Sequence, residues 1–267
     1  MSNWLVETFN VEKPIIGMLH FPPTPGQPLY DEKKGLNGLR DALLRDAEAL
    51  TKAGVDGFLF ANEGDRPYRS RVLPSTIATM AALIPQVVKE FPKPFGVAVL
   101  ADPVAAVYVG AAVGASFVRA FLTWNYVSDW GLIEPQAAEV LALRRNLHAQ
   151  SIKLLANLTG HSLPLEGRGI RELARGAEMV GLADALCVSG ETAGSPITPD
   201  MIRATREGSS LPVVIGSGAS EENIETLLRL ADATLVGTSI KVNRNTFNPV
   251  DPARAKAFVE AARRARE

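Results

Sequence analysis

Eight short apolar runs recur along the chain and alternate with longer stretches that have helical spacing. The runs are mostly continuous, without the polar and apolar alternation of a half-exposed strand, so they predict strands that are covered on both faces. The predicted strands lie near residues 14–19, 55–60, 95–100, 116–121, 152–157, 184–188, 212–215 and 234–236.

Between these runs, apolar residues three and four positions apart predict helices. The predicted helices span residues 39–54, 75–91, 103–114, 135–150, 169–181, 198–208 and 221–231, and a last one follows Asp251, which we expect to cap it. Gly54, Gly114 and Gly181 close three of these segments and are expected to be left-handed C-caps. Strand and helix units repeated eight times predict an α/β protein, a single (β/α)8 TIM barrel domain over residues 1–267.

An open, doubly wound sheet is the alternative architecture. The chain reads HFPPTPG after the first predicted strand, where a dinucleotide-binding sheet would carry a glycine-rich turn. The barrel is therefore favoured, and 267 residues of which 46% are hydrophobic are enough for its core.

The composition narrows the choice of partners. Lys and Arg number 28 and Asp and Glu 29, a formal net charge of -1, so no overall field would draw the protein to nucleic acid or to an anionic membrane. The N-terminal sequence lacks a basic segment followed by an apolar one, and no apolar run approaches the roughly 18 residues of a membrane span. The single Cys187 excludes an internal disulfide. We expect a cytoplasmic homo-oligomer, without a membrane span, that acts on a small molecule.

The seventh and eighth predicted strands end abruptly in glycine and hydroxyl residues. Glycines let the backbone approach a ligand and turn its N–H groups outward, which suits a phosphate, and the end of a TIM barrel chain is a usual place for such a site. The predicted phosphate-binding residues are Ser189, Gly190, Gly216, Ser217, Gly218, Gly237, Thr238 and Lys241. The alternative is that the glycines only make tight turns between strand and helix.

Four of the loops that leave strands are long: 20–38, 61–74, 122–134 and 158–168. In a barrel these loops share the C-terminal face, where active sites lie. They collect imidazoles, carboxylates and amides, which general acid–base chemistry requires. The predicted catalytic residues are His20, Glu63, Asp65, Asp102 and His161. The predicted substrate-binding residues are Asn62, Arg119, Trp124, Asn125, Asp129 and Asn157.

Several of these residues also have a structural explanation. Asp102 precedes a proline and suits a helix N-cap, and Asp65 suits an ion pair with a neighbouring arginine. Arg119 suits an ion pair in the core. Trp124 and Trp130 suit packing as well as stacking on a sugar or base ring.

His20, Glu63 and His161 lack such an explanation, because neither a helix cap nor a surface ion pair needs them. A divalent metal held by the three side chains is a further alternative, although the chain has no HxH or HExxH spacing. No other cofactor is indicated.

Six stretches spread over nearly the whole chain resemble the BtpA/SgcQ family. They are KPIIGMLHFPPTPGQP, GVDGFLFANEGDRPY, SDWGLIEP, ADALCVSGETAG, PVVIGSGASEEN and NPVD. The resemblance implies a (β/α)8 barrel. Bacterial members of the family look like enzymes of sugar or nucleoside breakdown, and the family takes its name from a protein linked to photosystem I assembly.

The chain departs from the family's pattern at three strand ends. It has Asn62, Glu63, Gly64 and Asp65 where Glu-Asn-Phe-Gly-Asp is usual, and Asp102 where Arg-Asn-Asp follows the third strand. After the fifth strand, Asn157 and a Gly-His pair replace the usual Asp and Lys-His. Because that lysine is missing, a Schiff base at this position is disfavoured.

Three functions stay open from the sequence. The first is an enzyme that acts on a phosphorylated sugar or ribosyl compound by general acid–base chemistry, as an isomerase, epimerase or lyase. The second is a nucleosidase or glycoside hydrolase that uses Glu63 and Asp65 as paired carboxylates. The third is a non-enzymatic assembly factor for a membrane complex, which only the family's name suggests.

Overall fold

The computed structural model describes residues 3–160, 162–190 and 196–267. In chain order the strands are β1 (Ile15–His20), β2 (Gly57–Ala61), β3 (Phe95–Ala98), β4 (Phe117–Ala120), β5 (Tyr126–Ser128), β6 (Gly131–Ile133), β7 (Lys153–Asn157), β8 (Ser162–Pro164), β9 (Ala185–Val188), β10 (Val213–Ile215) and β11 (Ala233–Val236). Eight of them close into a parallel barrel in the order β1, β11, β10, β9, β7, β4, β3, β2. The predicted TIM barrel is confirmed.

Helices cover the outside of the barrel. They are α1 (Trp4–Phe9), α2 (Gly35–Ala53), α3 (Pro74–Glu90), α4 (Pro103–Val113), α5 (Ala137–Asn146), α6 (Ile170–Met179), α7 (Pro199–Gly208), α8 (Ile224–Leu230) and α9 (Pro252–Arg263). In α2, the buried Leu39, Leu43, Ala47 and Leu50 are three or four positions apart, which gives one apolar stripe toward the strands. No helix in the described part of the chain is long and apolar enough to cross a membrane.

Three of the four predicted helix caps are confirmed. The Asp251 side chain accepts hydrogen bonds from Ala253 N and Arg254 N, and Gly54 and Gly114 are left-handed with φ of 90° and 73°.

The prediction for Gly181 is wrong, since the left-handed residue after α6 is Leu182 (φ 47°). A Cβ at Gly181 would lie 2.7 Å from the carbonyl oxygen of Ala177. Glycine is therefore needed at this position for close approach, and not for a positive φ.

Alternate residues of the barrel strands fall into two separate buried clusters. One cluster packs between the strands and the helices and includes Ile15, Leu19 and Phe60. The other fills the barrel interior and includes Ile16, Met18 and other residues at every second position, such as Leu59, Phe117, Leu155, Val214 and Leu235. Since side chains of a strand alternate between its faces, the next inward positions hold the residues that can reach a ligand at the barrel mouth.

Helix α1, which the hydrophobic pattern did not predict, closes the opposite end of the barrel. The Trp4 and Phe9 rings lie 5.9 Å and 6.3 Å from the ring of Phe117, and Trp4 Nε1 donates a hydrogen bond to the carbonyl oxygen of Asp184. The interior is thus sealed at its N-terminal end and accessible at its C-terminal end.

A small antiparallel sheet, in the order β6, β5, β8, lies in the loops that leave β4 and β7. The sequence predicts only loops over these residues, because strands of three residues carry too little periodicity to be recognised. Val127 pairs with Leu132 on one side and Leu163 on the other. Tyr126 and Ile133 are buried beneath it, and Ile133 reaches the barrel mouth.

Candidate active site

A cavity of about 340 Å³ lies at the C-terminal ends of the barrel strands. It exists because several inward positions there hold residues without large side chains, namely Ala61, Ala98, Gly216 and Gly237. The polar side chains at the remaining inward positions are His20, Arg119 and Asn157. Nine of the predicted site residues line it: His20, Glu63, Arg119, Asn157, Gly216, Ser217, Gly218, Gly237 and Thr238.

His20 ends β1 and is half-buried in the cavity wall. Its Nδ1 lies 3.4 Å from the carbonyl oxygen of Thr246, and a Cβ at Gly237 would lie 3.3 Å from its Cε1. Desolvation lowers the pKa of His20 below its ordinary 6.5, although the charge of Glu63 opposes this shift. The ring is therefore neutral at neutral pH. With a proton on Nδ1 for Thr246, Nε2 keeps a lone pair that can accept a proton.

Glu63 follows β2, the strand that pairs with β1, and only 9% of the residue is exposed. Tyr68 Oη shares its one proton between two acceptors, Glu63 Oε1 at 3.2 Å and the Glu63 carbonyl oxygen at 3.1 Å. Burial, and then the charge of Glu63, raise the pKa of the Tyr68 hydroxyl, so it stays a donor. The Tyr68 ring also meets the ring of Trp130 edge-on at 5.1 Å, and Trp130 lines the cavity. One tyrosine thus orients both the carboxylate and an aromatic wall.

Arg119 is the third residue of β4 and crosses the barrel interior toward β10. Its Nε donates to Asn157 Oδ1 at 2.7 Å, and a Cβ at Gly216 would lie 3.2 Å from its Nη2. Among the described residues no carboxylate pairs with the guanidinium, so the core ion pair that the sequence allows is not formed. Burial raises the pKa of the neighbouring Cys187 thiol, which therefore stays neutral and does not offset the charge.

The loop after β10 is bonded to the loop after β9. Gly216 N donates to the carbonyl oxygen of Val188 at 2.7 Å, Ser217 N to Ser189 Oγ at 2.9 Å, and Gly190 N to the carbonyl oxygen of Ser217 at 3.3 Å. Gly216 and Ser217 line the cavity, but their N–H groups are already used. Ser189 and Gly190 support this loop from below and do not form the cavity wall.

The next two residues of this loop offer free donors. Gly218 is left-handed, with φ 96°, and both Gly218 and Ala219 line the cavity. Their backbone N–H groups have no partner among the described residues. Of the donors that the sequence assigns to residues 216–218, only that of Gly218 has no partner among the described residues, and Ala219 adds a donor that the sequence did not indicate.

The loop after β11 forms the rest of this wall. Thr238 Oγ1 lies 2.7 Å from Thr246 Oγ1, and Ser239 Oγ is buried without a hydrogen-bond partner in the described part of the chain. Arg244 also lines the cavity, at the rim, where it pairs with Glu222 at 2.6 Å. The loop therefore presents hydroxyl groups and one cation to the cavity.

Asp65 and Asn62 hold loops together and do not line the cavity. Asp65 accepts hydrogen bonds from Thr24 N at 2.7 Å and from the hydroxyls of Thr24 and Thr76 at 3.0 Å. Asn62 Oδ1 accepts a hydrogen bond from Leu100 N at 2.7 Å. These contacts agree neither with an ion pair of Asp65 nor with a catalytic role, since both of its carboxylate oxygens accept hydrogen bonds from threonines.

Asp102 and Lys241 do not lie where their predicted roles would place them, which are catalysis for Asp102 and phosphate binding for Lys241. Asp102 caps α4 by accepting from Ala105 N at 3.0 Å, and it accepts from Val72 N at 3.0 Å. Lys241 is 1% exposed and turned away from the cavity, with its Nζ 2.7 Å from Asp46 Oδ2. Its charge is neutralised by this buried carboxylate, which leaves none for a phosphate at the mouth.

The loop after β4 contributes less than predicted. Trp124, with φ 65°, packs beside Gly176 and lies under the guanidinium of Arg168, 4.0 Å from the ring centre. Asn125 and Asp129 are exposed and do not line the cavity. Of the residues in this loop, Trp130 and Ile133 line it instead.

His161 lies outside the described residues, and its catalytic role stays a prediction. The metal alternative includes His161 and stays open for the same reason. Among residues 3–160, 162–190 and 196–267, no three His, Cys, Asp or Glu side chains form a group that could hold a metal ion.

The site residues that escaped the sequence prediction include Tyr68, Arg244 and Thr246. Tyr68 was recognisable as an aromatic residue in the long loop after β2, but not as the partner of Glu63. Arg244 and Thr246 lie in a polar loop after the last strand, VNRNTFNP, and only its return across β1 brings them to the cavity.

Comparisons with known proteins place the chain in a family. Residues 11–264 match the BtpA family model. The chain belongs to the BtpA family. It is 35% identical over 260 residues to the putative sgc region protein SgcQ of Escherichia coli (strain K12), with 97% of each chain covered. It is 34% identical over 261 residues to the photosystem I biogenesis protein BtpA of Synechocystis sp. (strain ATCC 27184 / PCC 6803 / Kazusa), covering 96% of this chain and 90% of that one.

Solved structures similar to this BtpA family chain share its fold at low sequence identity. A native KDPGal structure has a TM-score of 0.55 at 16% identity and covers 94% of this chain and 95% of its own. Tryptophan synthase from M. tuberculosis in an aminoacrylate-bound form has a TM-score of 0.60 at 14% identity, with 100% of both chains covered. These likenesses establish the TIM barrel fold.

Proposed function

We propose that this BtpA family protein is an enzyme that acts on a phosphorylated sugar or ribosyl-type molecule by proton transfer, as an isomerase, epimerase or lyase. The observation that carries the proposal is the division of the cavity wall. On one side, Arg119 and the backbone N–H groups of Gly218 and Ala219 have no carboxylate or acceptor partner, respectively, in the part of the chain that the structure describes. The other side holds His20 and Glu63. An anion held on the first side presents the carbon next to it to a base on the second.

Anion binding rests on charge as well as on donors. Arg119 brings a full positive charge into the cavity, and a half-buried cation without a counter-ion, as Arg119 is among the described residues, is costly to keep there. A negatively charged ligand removes that cost. Gly218 and Ala219 add N–H donors, and Ser239 adds an unpaired hydroxyl. A neutral sugar would leave the guanidinium uncompensated.

The proton-transfer step falls to His20 and Glu63. Glu63 is the candidate base, because its carboxylate faces the cavity and Tyr68 holds one of its oxygens in place. The neutral His20 can accept a proton on Nε2 or return one to a neighbouring atom of the substrate. Two groups on adjacent strands can therefore remove and deliver a proton at neighbouring positions of a bound molecule, which aldose–ketose isomerisation requires.

The hydrolase alternative is less well supported by the geometry. It needs two carboxyl groups that face the scissile bond. Glu63 lines the cavity, whereas both oxygens of Asp65 are bonded to threonines. The aromatic wall that it would use is reduced to Trp130, since Trp124 packs elsewhere.

Deuterium exchange tests the proposed reaction directly. Aldose and ketose phosphates are incubated with the protein in D2O, and loss of the C–H signal is followed by proton NMR. Exchange by the wild type that Glu63→Gln and His20→Gln both abolish, with unchanged melting temperatures, supports the proposal. Absence of exchange with the whole panel, together with release of free base from nucleosides, favours the hydrolase. Absence of both, with no thermal stabilisation by any sugar phosphate, favours an assembly role.

A further inference from the structure

The side of the cavity that we propose to bind an anion has two parts, Arg119 and the loops after β10 and β11. Their hydrogen-bond donors are arranged differently, and this difference indicates which kind of substrate fits. Arg119 lies deep in the barrel, against Gly216, whereas Gly218, Ala219 and Ser239 lie in the loops above. A ligand group at the guanidinium and a ligand group at the loops therefore occupy different levels of the cavity.

The guanidinium is held in one plane by its Nε. The Nε–H is committed to Asn157 Oδ1 at 2.7 Å, and the contact of the group with the neutral Cys187 thiol brings no opposing charge to the two terminal nitrogens. The edge with these two nitrogens can donate two parallel hydrogen bonds, a geometry that matches the two coplanar oxygens of a carboxylate.

A phosphate would find fewer suitable hydrogen-bond donors beside the Arg119 guanidinium. Its oxygens point in tetrahedral directions and need donors from several sides. The nearest backbone N–H groups, those of Gly216 and Ser217, are already bonded to Val188 and Ser189. At the mouth the situation is the reverse, because Gly218 and Ala219 offer N–H groups from a curved loop. Loops of this kind suit a phosphate.

We infer that the substrate carries two anionic groups, a carboxylate bound end-on by Arg119 at the floor of the cavity and a phosphate bound by the loops after β10 and β11. The substrate class is thus a phosphorylated sugar acid or hydroxy acid. This inference rests on the proposed function, since it takes the phosphate site from it. The carbon beside the carboxylate then lies at the level of His20 and Glu63, and the charge of Arg119 stabilises the negative charge that develops when its proton is removed.

Two small ligands that differ only at the end in question provide the test. Glycerol 3-phosphate and 3-phosphoglycerate share a three-carbon chain and a phosphate, and the second has a carboxylate where the first has a hydroxymethyl group. Isothermal titration calorimetry measures both with the wild type, Arg119→Gln, Arg119→Lys and Gly218→Asp. The wild type is expected to bind 3-phosphoglycerate at least tenfold more tightly.

The variants separate the two sites. Arg119→Gln should remove the tenfold advantage, Arg119→Lys should remove most of it because the planar fork is lost, and Gly218→Asp should weaken both ligands alike. Arg119→Gln should melt no lower than the wild type, since it removes an uncompensated charge.

Equal affinity of the wild type for both ligands, or an advantage that persists in Arg119→Gln, would overturn the carboxylate site alone. If neither ligand binds, the phosphate proposal fails and this inference fails with it. If only 3-phosphoglycerate binds, with Arg119 dependence and no effect of Gly218→Asp, the carboxylate site stands and the phosphate proposal fails.

Discussion

Lys241 Nζ lies 2.7 Å from Asp46 Oδ2, and both side chains are buried. Desolvation lowers the pKa of Lys241, and the charge of Asp46 opposes this shift. Asp46 Oδ1 also accepts a hydrogen bond from Val250 N at 3.2 Å. The pair therefore ties helix α2 to both ends of the loop from residue 241 to residue 250, which carries Arg244 and Thr246 to the cavity.

Removal of one partner of this pair should be strongly destabilising. Lys241→Met leaves the carboxylate of Asp46 buried with only the exposed Arg45 as a cation, and we expect a loss of about 3–5 kcal/mol in the free energy of unfolding. The double variant Lys241→Met, Asp46→Leu should recover part of this loss, though not all, because Val250 N loses its acceptor. Urea denaturation of the single and double variants gives the coupling energy.

The exposed pair of Lys52 and Glu48, 2.5 Å apart on α2, provides the matched control. Lys52→Met should change the free energy of unfolding by less than about 1 kcal/mol. If Lys241→Met reduced the free energy of unfolding by no more than Lys52→Met does, the buried pair would not be a structural link.

Tyr68 should act on the rate through Glu63. Tyr68→Phe keeps the ring that packs on Trp130 and removes the hydroxyl that donates to Glu63 Oε1. We expect kcat to fall by roughly one order of magnitude, the share of one hydrogen bond of about 1.4 kcal/mol. KM should change little, because Tyr68 itself does not line the cavity.

Steady-state kinetics measures both values. Tyr30→Phe, in the loop after β1, is the control variant and should leave kcat and KM unchanged. A raised KM with an unchanged kcat in Tyr68→Phe would contradict a role through Glu63.

Protonation of His20 should make the folded protein less stable in mild acid. Burial lowers its pKa from 6.5, so just below pH 6.5 the unfolded chain binds more protons than the folded chain, and the free energy of unfolding falls as the pH falls through this window. His20→Gln has no proton to gain. Urea denaturation at about pH 7.5 and about pH 5.5 should therefore show a larger loss for the wild type than for the variant.

His148, an exposed histidine after α5, serves as the control for this measurement. His148→Gln should lose as much stability between the two pH values as the wild type does. If His20→Gln also loses as much stability between the two pH values as the wild type, the ring of His20 is not desolvated in the way that the structure indicates.

The two glycines of the loop after β10 should respond differently to alanine. A Cβ at Gly216 would lie 2.2 Å from Ser189 Oγ and 2.9 Å from Cys187 Sγ, so Gly216→Ala must displace the side chains around Arg119 and should weaken anion binding as well as stability. Gly218 has φ 96°, a conformation that alanine adopts only with strain. Gly218→Ala should therefore destabilise the fold by more than about 1 kcal/mol.

Gly218→Asp distinguishes strain from a phosphate site. Added like charge should weaken binding of a phosphorylated ligand by at least tenfold, about 1.4 kcal/mol, relative to Gly218→Ala. Calorimetry with the phosphorylated ligand and its dephosphorylated analogue measures this. Equal losses for both ligands would mean that the loop shapes the mouth without binding the phosphate.

The hydrophobic pattern alone determined the eight strands, the helices between them and the end of the barrel at which the polar strand ends gather. These follow from local rules, since continuous apolar runs need cover on both faces and parallel strands all end on one side. His20, Glu63, Arg119 and Asn157 were identified in this way. The helix α1 and the small sheet were not, because six residues and three residues are too few for a periodic signal.

Only the tertiary structure decided which hydrogen-bond partners each polar side chain has. Asp65 and Glu63 are two residues apart and look alike in the sequence, yet the threonines around Asp65 come from a different loop and from helix α3. Lys241 looked like a phosphate ligand because its partner, Asp46, is 195 residues away. Arg119 looked like either a core ion pair or a ligand, and the structure places no carboxylate beside it among the described residues, so its role as a ligand stays a proposal. Charge and spacing along the chain show which groups reach the barrel mouth, but contacts between distant segments decide which of them stay free for a substrate.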